Sequence, residues 1–384
     1  MIEIEDMKII ISGDTYINED SCSEGLGINE VFDKDVVELF ANADYSLLNL
    51  EGPLTVCDTQ ISKSGPNLKS SPRLANLLKE LGVKCTCLAN NHIMDYGKGG
   101  FYETLNILKL NGFEWLGAGE NNCDIKKNII KDICGCRIGF YNVAETEFNI
   151  PTDMCPGCNL FDEHQTFIDI KEMSELCDYV IVLYHGGVEE FRFPTPVVRK
   201  RFHNMIDCGA DFVVAQHSHC IACEEVYKGR RLLYGQGNFI MSGEINEYTR
   251  DGLIIQLSFE DGTIDCKYHL IENDNGKICY SKDQDLTSFY ERGRILNDDS
   301  LYHQELKKQI NKMRGIYLDY LHARNIFDKI VLRFCRRSFY DKYLEYIYKK
   351  NNVPTILNTI RDSDHREMIT YILEDYMESK EENI

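Results

Sequence analysis

The chain has 384 residues, enough for one large domain with an appendage or for two domains. It carries 42 Lys and Arg against 62 Asp and Glu, a formal net charge of -20, which argues against a protein whose main task is to grip nucleic acid or anionic lipid. No apolar run approaches the ~18 residues of a spanning helix, so we expect a soluble protein without an integral membrane segment.

The N-terminus and the cysteines indicate the compartment. Residues 1–6 are acidic where a secretory signal needs basic residues, so we expect a cytoplasmic protein. Sixteen cysteines are too few for this length to indicate a disulfide scaffold, and reduced thiols are expected. Cys155 with Cys158 and Cys220 with Cys223 form two Cys-x-x-Cys pairs, but their separation is far from a zinc-ribbon pattern.

The first two thirds of the chain alternate short β-branched runs with amphipathic stretches, which is typical of an α/β protein whose helices cover a sheet. A helix is predicted over 71–82, with a Ser-Pro start and a Gly stop. The strand candidates are 8–12, 45–50, 83–89, 138–143, 179–184 and 211–215.

From Leu232 onward the pattern changes to strands separated by turn signals. Asp261-Gly262 lies between two alternating runs, 252–260 and 263–272, which predicts a hairpin. After about residue 284 the spacing becomes helical. We therefore expect one α/β domain over 1–284 and a helical C-terminal region over 285–384.

Side chains that bind metals recur where the predicted strands end. Carboxylates, amides and imidazoles follow five of these strands, and in open α/β sheets such strand ends meet at one edge. This donor set suits Mn²⁺, Fe²⁺ or Zn²⁺ better than a thiolate site does. Taken singly, each residue could be an ordinary turn or a solvated imidazole, but the repetition favours a metal site. The residues are Asp14, Asn49, Glu51, Asn90, Asn91, His92, His185, His217 and His219.

Basic residues cluster between His185 and His217. Arg192, Arg199, Lys200 and Arg201 could supply a positive field for an anionic substrate, or could form a solvated helix face. The sequence leaves both interpretations open.

Several segments in order resemble the bacterial capsule-synthesis CapA (poly-γ-glutamate synthesis) family, which is similar to the calcineurin-like metallophosphoesterases. The resemblance runs over about residues 8–240 and does not cover the last hundred. The segments that carry it are Gly13-Asp14, Asn49 to Thr55, Leu88 to Gly97, His185 to Glu190, His217-Ser218-His219 and Tyr234 to Phe239.

The resemblance implies a four-layer α/β/β/α sandwich with two divalent metal ions, Mn, Fe or Zn. Asp14 would bind the first ion and Glu51 would bridge both, while His219 would return to the first. His92 would protonate a leaving oxygen, with Asp95 orienting its ring. The second ion would be held by Asn91, His185 and His217. Candidates for substrate contacts are Asn49, Asn90, Glu189 and Asn238.

The sequence departs from the metallophosphoesterase pattern at its first motif. A typical member begins Asp-x-His, whereas Asp14-Thr15-Tyr16 lacks the imidazole, so the first ion would be a ligand short. The bridging position is Glu51 or Asn49 rather than an aspartate. The two alternating imidazoles of the last motif, His217 and His219, are kept.

Three functional hypotheses follow. The first is a metal-dependent hydrolase that acts on a phosphoester or other anionic bond of a small molecule or polymer, linked to capsule or poly-γ-glutamate (exopolymer) biosynthesis. The second is a non-catalytic polymer-binding or assembly protein of the same process, with partner proteins from capsule biosynthesis. The third is a two-metal amide or γ-glutamyl hydrolase. A homo-oligomer is compatible with each of them, and none involves nucleic acid.

Overall fold

The structure is a computed structural model that describes residues 7–18, 27–63, 65–125, 128–147, 156–243, 245–260, 262–321 and 352–381. The chain forms two compact units. The first contains Met1–Ile61 and Asn67–Tyr302, and the second contains Ser62–Pro66 and His303–Ile384.

Strands dominate the first unit. In chain order they are β1 (Ile9–Tyr16), β2 (Tyr45–Leu50), β3 (Cys85–Cys87), β4 (Glu114–Leu116), β5 (Ala118–Gly119), β6 (Ile129–Ile133), β7 (Cys136–Ala144), β8 (Gly157–Cys158), β9 (Tyr179–His185), β10 (Phe212–Gln216), β11 (Glu224–Tyr227), β12 (Arg230–Leu233), β13 (Asn238–Met241), β14 (Asp251–Glu260), β15 (Thr263–Asp274) and β16 (Lys277–Tyr280).

The helices follow the same numbering by chain order. They are α1 (Ile28–Val31), α2 (Lys34–Ala41), α3 (Leu74–Leu81), α4 (Gly97–Asn111), α5 (Asn122–Ile125), α6 (Gln165–Ser174), α7 (Pro196–Asp207), α8 (Thr287–Leu296), α9 (Asp299–Leu321), α10 (Asn352–Arg361) and α11 (Ser363–Glu381).

The strands form two main sheets. The first has the order β16-β15-β14-β1-β2-β3-β4, with β13 paired to β1 beyond Gly13, and the second has the order β11-β12-β10-β9-β7-β6. The strands β1 to β4 run parallel, as do β7, β9, β10 and β12. Parallel strands bring their carboxyl ends to one edge, which is where the predicted ligands lie.

Apolar side chains hold the sheets face to face and hold helices on their outer faces. The buried layer between the sheets includes Ile9, Leu47, Phe140 and Leu183. On the other side of the first sheet, helices α2 to α4 pack in a second apolar cluster, and α6 and α7 contact the second sheet at β9 and β10. The predicted four-layer α/β/β/α sandwich is therefore confirmed.

Local sequence signals explain several element ends. The helix predicted over 71–82 is α3, and Gly82 ends it in the left-handed conformation with φ 100°. The turn between β15 and β16 places Asn275 and Gly276 at φ 54° and 94°, as a type I′ turn requires. The predicted hairpin joins β14 to β15, although Asp261 itself lies outside the described residues.

The first strand continues further than the sequence predicts. Asp14 was expected after the strand, but it lies inside β1, at a register shift between Ser12 and Asp14. The strand continues because β13 pairs with it there. A Cβ at Gly13 would lie 2.0 Å from the carbonyl oxygen of Gly237, so only glycine permits this backbone approach.

The first unit ends later than the expected boundary after residue 284. Helix α8 belongs to the first unit, since Phe289 packs on Tyr268 with ring centroids 5.1 Å apart. The division falls inside α9, between Tyr302 and His303. The described part of 285–384 is helical, and its separate folding stays a prediction. Among the described helices, none is both long and apolar enough to cross a bilayer.

Candidate metal centre

The predicted polar side chains converge where the two sheets meet. Three of them come from the first sheet and its loops: Asp14 lies in β1, Glu51 follows β2, and Asn91 follows β3. Two come from the second sheet, where His185 ends β9 and His217 follows β10. Apart from Asn91, with 6% exposure, and His217, with 4%, these residues are 2% exposed or less. Residues far apart in sequence thus form one buried polar cluster.

Asn49 links the cluster from inside. Its Nδ2 donates to Asp14 Oδ1 at 2.8 Å and to Glu51 Oε2 at 2.5 Å, and it lies 3.3 Å from His185 Nδ1. Its Oδ1 accepts a hydrogen bond from Asn90 Nδ2 at 3.1 Å. The amide predicted to contact substrate is therefore occupied by the protein's own side chains, and a substrate contact stays a prediction.

Glu51, His185 and His217 each offer one ligand atom, and these atoms lie within 4.8 Å of one another. Glu51 Oε1 is 3.6 Å from His185 Nε2. Within the described part of the chain, Glu51 Oε1 and His217 Nδ1 are buried and have no hydrogen-bond partner. Buried polar atoms without a partner are costly, so this donor set fits a bound cation.

The protonation states of these groups agree with that fit. Burial, and then the negative charge of Asp14, raise the pKa of Glu51 well above its usual range. Burial lowers the pKa of both His185 and His217, which keeps their rings neutral. A cation bound between them would reverse the penalty on the carboxylate and would use the imidazole lone pairs.

Asp14 and His219 contact each other directly. Asp14 Oδ2 lies 3.3 Å from His219 Nδ1 and accepts the backbone N–H of His217 at 3.0 Å. Burial acts to raise the pKa of Asp14, but the hydrogen bond and charge of His219 outweigh it and lower the value to about 2. Burial acts against a charge on His219, yet Asp14 raises its pKa to about 10. The two ligands predicted for the first ion therefore form an ion pair.

His92 and Asp95, predicted as the acid and its orienting partner, contact each other, and their roles stay a prediction. His92 Nδ1 lies 2.6 Å from Asp95 Oδ2, which also accepts the backbone N–H of Leu68 at 2.7 Å. The other ring nitrogen, Nε2, is 3.9 Å from Glu51 Oε1. The ring therefore presents Nε2 to the candidate metal centre.

The neighbouring asparagines have different surroundings. Asn91 Oδ1 lies 3.0 Å from His185 Nε2, so Asn91 is beside the proposed ligands. Asn90 Nδ2 donates to the carbonyl of Leu50 at 2.7 Å, which braces the loop after β2. A substrate contact by Asn90 stays a prediction.

Asn238 and Glu189 lie on the His217–His219 side of the cluster. Asn238 Oδ1 is 2.9 Å from His219 Nδ1, and Asn238 Nδ2 donates to the carbonyl of Thr249. Glu189 is exposed on the loop after β9, and its charge acts to raise the pKa of His217. Glu189 is therefore the more accessible of these two candidates for a substrate contact.

Two glutamates after β7 belong to this region and were missed in the sequence. Glu147 Oε2 accepts a hydrogen bond from Asn91 Nδ2 at 3.3 Å, and its Oε1 lies 3.8 Å from His217 Nε2. Glu145 accepts from Arg201 Nη1 at 2.6 Å and from the backbone N–H of Gly187 at 3.2 Å. The signal was present, since Glu145 and Glu147 lie two and four residues after the end of the predicted strand 138–143.

Arg199 and Arg201 do not form a solvated face. Arg201 is 6% exposed and pairs with Glu145, and Arg199 binds Glu225 through Nε and Nη2. Their charges are matched within the protein.

The loop after β10 carries unusual backbone angles. His217 has φ 96° and His219 has φ 55°, in the left-handed region that favours glycine. Such conformations persist where surrounding contacts hold them, and they are concentrated at functional sites.

Comparison with known proteins identifies the family. The model of the family described as "Bacterial capsule synthesis protein PGA_cap" matches residues 8–242. The chain therefore belongs to this family, as the sequence motifs predicted.

Curated relatives of the chain have names that refer to PGA, capsule or polyglutamine synthesis. The chain is 29% identical over 266 residues to the "PGA biosynthesis protein CapA" of Bacillus subtilis (strain 168), covering 67% of this chain and 65% of that protein. It is 29% identical over 245 residues to the "Capsule biosynthesis protein CapA" of Bacillus anthracis, covering 61% of this chain and 59% of that protein. A "Probable polyglutamine synthesis accessory protein" of Mycobacterium tuberculosis is 26% identical, covering 51% and 55%. The chain spans less than two thirds of the length of these relatives.

Proposed function

We propose that this protein is a metal-dependent hydrolase that cleaves a phosphoester or other anionic bond in capsule or poly-γ-glutamate (exopolymer) biosynthesis. The names of its relatives support the process, and the chemistry of the polar cluster supports the reaction class. The substrate is an anionic small molecule or polymer.

The observation that carries the proposal is the pair of buried atoms without a partner. Glu51 Oε1 and His217 Nδ1 are both ligand-type atoms, and one ligand atom of each residue, with one of His185, lies within a 4.8 Å span. A purely structural cluster would be expected to satisfy these atoms with donors of its own. A divalent cation would satisfy both at once.

The proposed centre holds two divalent ions, Mn, Fe or Zn. One ion would be held by Glu51, Asn91, His185 and His217, and the other by Asp14 and His219 with Glu51 shared. Two such ions polarise a phosphoryl group and lower the pKa of a bound water. The donor set, carboxylate with imidazole and amide oxygen, is the one these metals accept.

The protein's own groups supply orientation and proton transfer. Asn49 holds the carboxylates of Asp14 and Glu51 in place through one amide nitrogen. Asp95 fixes the ring of His92 by accepting at Nδ1, so that Nε2 is the nitrogen available to protonate a leaving oxygen. The buried surroundings limit the access of bulk water to these groups.

The test is metal content measured together with hydrolysis. Purified full-length protein is analysed for Mn, Fe and Zn and assayed on bis-p-nitrophenyl phosphate after metal addition. His92→Asn is expected to lower turnover by about 10²- to 10⁴-fold with bound metal unchanged. The matched control is His203→Asn, since His203 contacts Glu225 rather than the cluster. Absence of metal and of turnover in the wild-type protein would contradict the proposal.

A non-catalytic polymer-binding or assembly role is the second candidate, favoured by two observations. Asp14 and His219 pair with each other at 3.3 Å, and the first motif lacks its histidine. In this case a single ion would bind without turnover. Measured stoichiometry of one, with no hydrolysis, would support this alternative.

A further inference from the structure

Two arginines lie beside the loop that carries His217 and His219. Arg292, on α8, donates from Nε to the carbonyl of Ala222 at 2.7 Å and from Nη2 to the carbonyl of Ile221 at 3.0 Å. These carbonyls follow His219 by only two and three residues. Arg292 therefore caps the end of the loop.

Arg192 reaches the same region from the loop after β9. Its Nη2 donates to the carbonyl of Glu247 at 2.7 Å, and its guanidinium lies 5.1 Å from the centre of the Tyr248 ring. The arginine's loop is tied to the histidine loop, since the backbone N–H of Glu190 donates to the carbonyl of Ser218 at 2.9 Å.

Neither guanidinium is within ion-pair distance of a carboxylate in the part of the chain that the structure describes. Their hydrogen bonds go to backbone carbonyls alone. Arg199 and Arg201 of the same unit differ, because each binds a glutamate directly. Asp251 interacts with Arg192 only at longer range, and burial raises the pKa of that carboxyl.

The two positive charges also act on each other. Burial, and then the charge of Arg192, lower the pKa of Arg292 to about 10. Both side chains are partly exposed, so a solute can reach them. Two cations that lie beside the same loop, neither within ion-pair distance of a carboxylate among the described residues, gain stability when an anion binds to them.

We propose that Arg192 and Arg292 form an oxyanion-binding subsite beside the candidate metal centre. Guanidinium groups bind phosphate and carboxylate through paired N–H donors, so the ligand class is a phosphate or carboxylate group. As a subsite for a second anionic group of the substrate, it rests on the proposed function. Arg292 lies beyond residues 8–242, so the family match does not include it.

The experiment measures anion binding in full-length protein from which metal has been removed with EDTA. Calorimetric titrations with inorganic phosphate and with glutarate distinguish the two oxyanions. Arg192→Gln and Arg292→Gln are each expected to weaken binding of the preferred probe at least tenfold. Arg294→Gln is the matched control, because Arg294 is exposed on the same helix and pairs with Glu291, and its affinity should equal that of the wild-type protein.

Equal binding by the wild-type and both variant proteins, or no binding of either probe, would overturn the subsite. Arg292→Lys keeps the charge but loses the fork, so it tests the subsite if Arg292→Gln fails to fold, and weaker binding is again expected. The outcomes separate the two proposals. Oxyanion binding without metal-dependent hydrolysis would refute the proposed function alone, whereas hydrolysis with unchanged binding in the variants would refute the subsite alone.

Discussion

Glu51 and Glu225 are both buried beside histidines, at 0% and 5% exposure, but their partners differ. Glu225 accepts from Arg199 through two nitrogens, lies 3.0 Å from His203 Nε2, and accepts from Tyr234 Oη at 2.7 Å. Glu51 receives one amide hydrogen bond, from Asn49, and its other oxygen has no hydrogen-bond partner among the described residues.

The pKa values of the two carboxyl groups consequently shift in opposite directions. Burial acts to raise the pKa of Glu225, but its hydrogen bonds, with that of Arg199 the strongest, outweigh burial and lower it. Burial and the charge of Asp14 raise the pKa of Glu51. Both oxygens of Glu225 accept hydrogen bonds within the fold, whereas Glu51 Oε1 has no hydrogen-bond partner among the described residues. The difference separates a structural carboxylate from one that is suited to a ligand.

The largest effect is expected from Glu51→Gln. Loss of the carboxylate should weaken divalent metal binding more than about 100-fold and lower hydrolysis by about 10³-fold. Thermal stability of the metal-free protein should not fall, because burial raises the pKa of Glu51 and so favours its neutral carboxyl, which glutamine matches in shape and charge. Metal titration and melting curves check both points. A strongly destabilised metal-free variant would show that Glu51 is structural, like Glu225.

The same comparison can be made with two histidines, His217 beside Glu51 and His203 beside Glu225, and His217→Ala is the first test. We expect about 100-fold weaker binding of at least one ion, since a neutral imidazole ligand is lost. His203→Ala is the matched control, because the His203 imidazole contacts Glu225 and not the candidate metal centre. Elemental analysis after dialysis measures the stoichiometry. Full retention of both ions in His217→Ala would remove it from the ligand set.

Glu225→Gln should have the opposite effects, a loss of stability with no loss of bound metal. Leaving Arg199 without its partner is expected to lower the free energy of unfolding by about 2 to 3 kcal/mol, with metal content unchanged. Urea denaturation compared with the wild-type protein measures the change. Loss of bound metal in this variant would contradict the structural role.

The smallest expected effect is the pH dependence of the stability difference between the wild-type protein and Glu225→Gln. Because folding lowers the pKa of Glu225, its carboxylate stabilises the protein above the unfolded pKa of about 4.3, and this stabilisation is lost as pH falls through the folded value. The stability gap between wild type and Glu225→Gln should therefore narrow below about pH 4. A gap that stays constant would assign the effect to packing.

Sequence reasoning predicted the sheets and the ligand edge because strand ends are local signals with a shared geometry. The same rule would have found Glu145 and Glu147, which follow β7. It could not find the extension of β1 through Asp14, since that depends on pairing with β13, more than 200 residues away. The burial of Arg201 was also hidden, because Arg201 lies on α7 and its partner Glu145, which follows β7, is 56 residues away in sequence.

The left-handed backbone at His217 sets stability and metal binding against each other. A non-glycine residue at φ 96° costs roughly 1–3 kcal/mol, so glycine at this position would relax the loop while deleting a proposed ligand. Laboratory evolution for heat resistance alone would therefore enrich His217→Gly, and adding a requirement for metal binding would restore the histidine. Loss of the histidine under the first selection and its return under the second would show that His217 is kept for metal binding and not for stability.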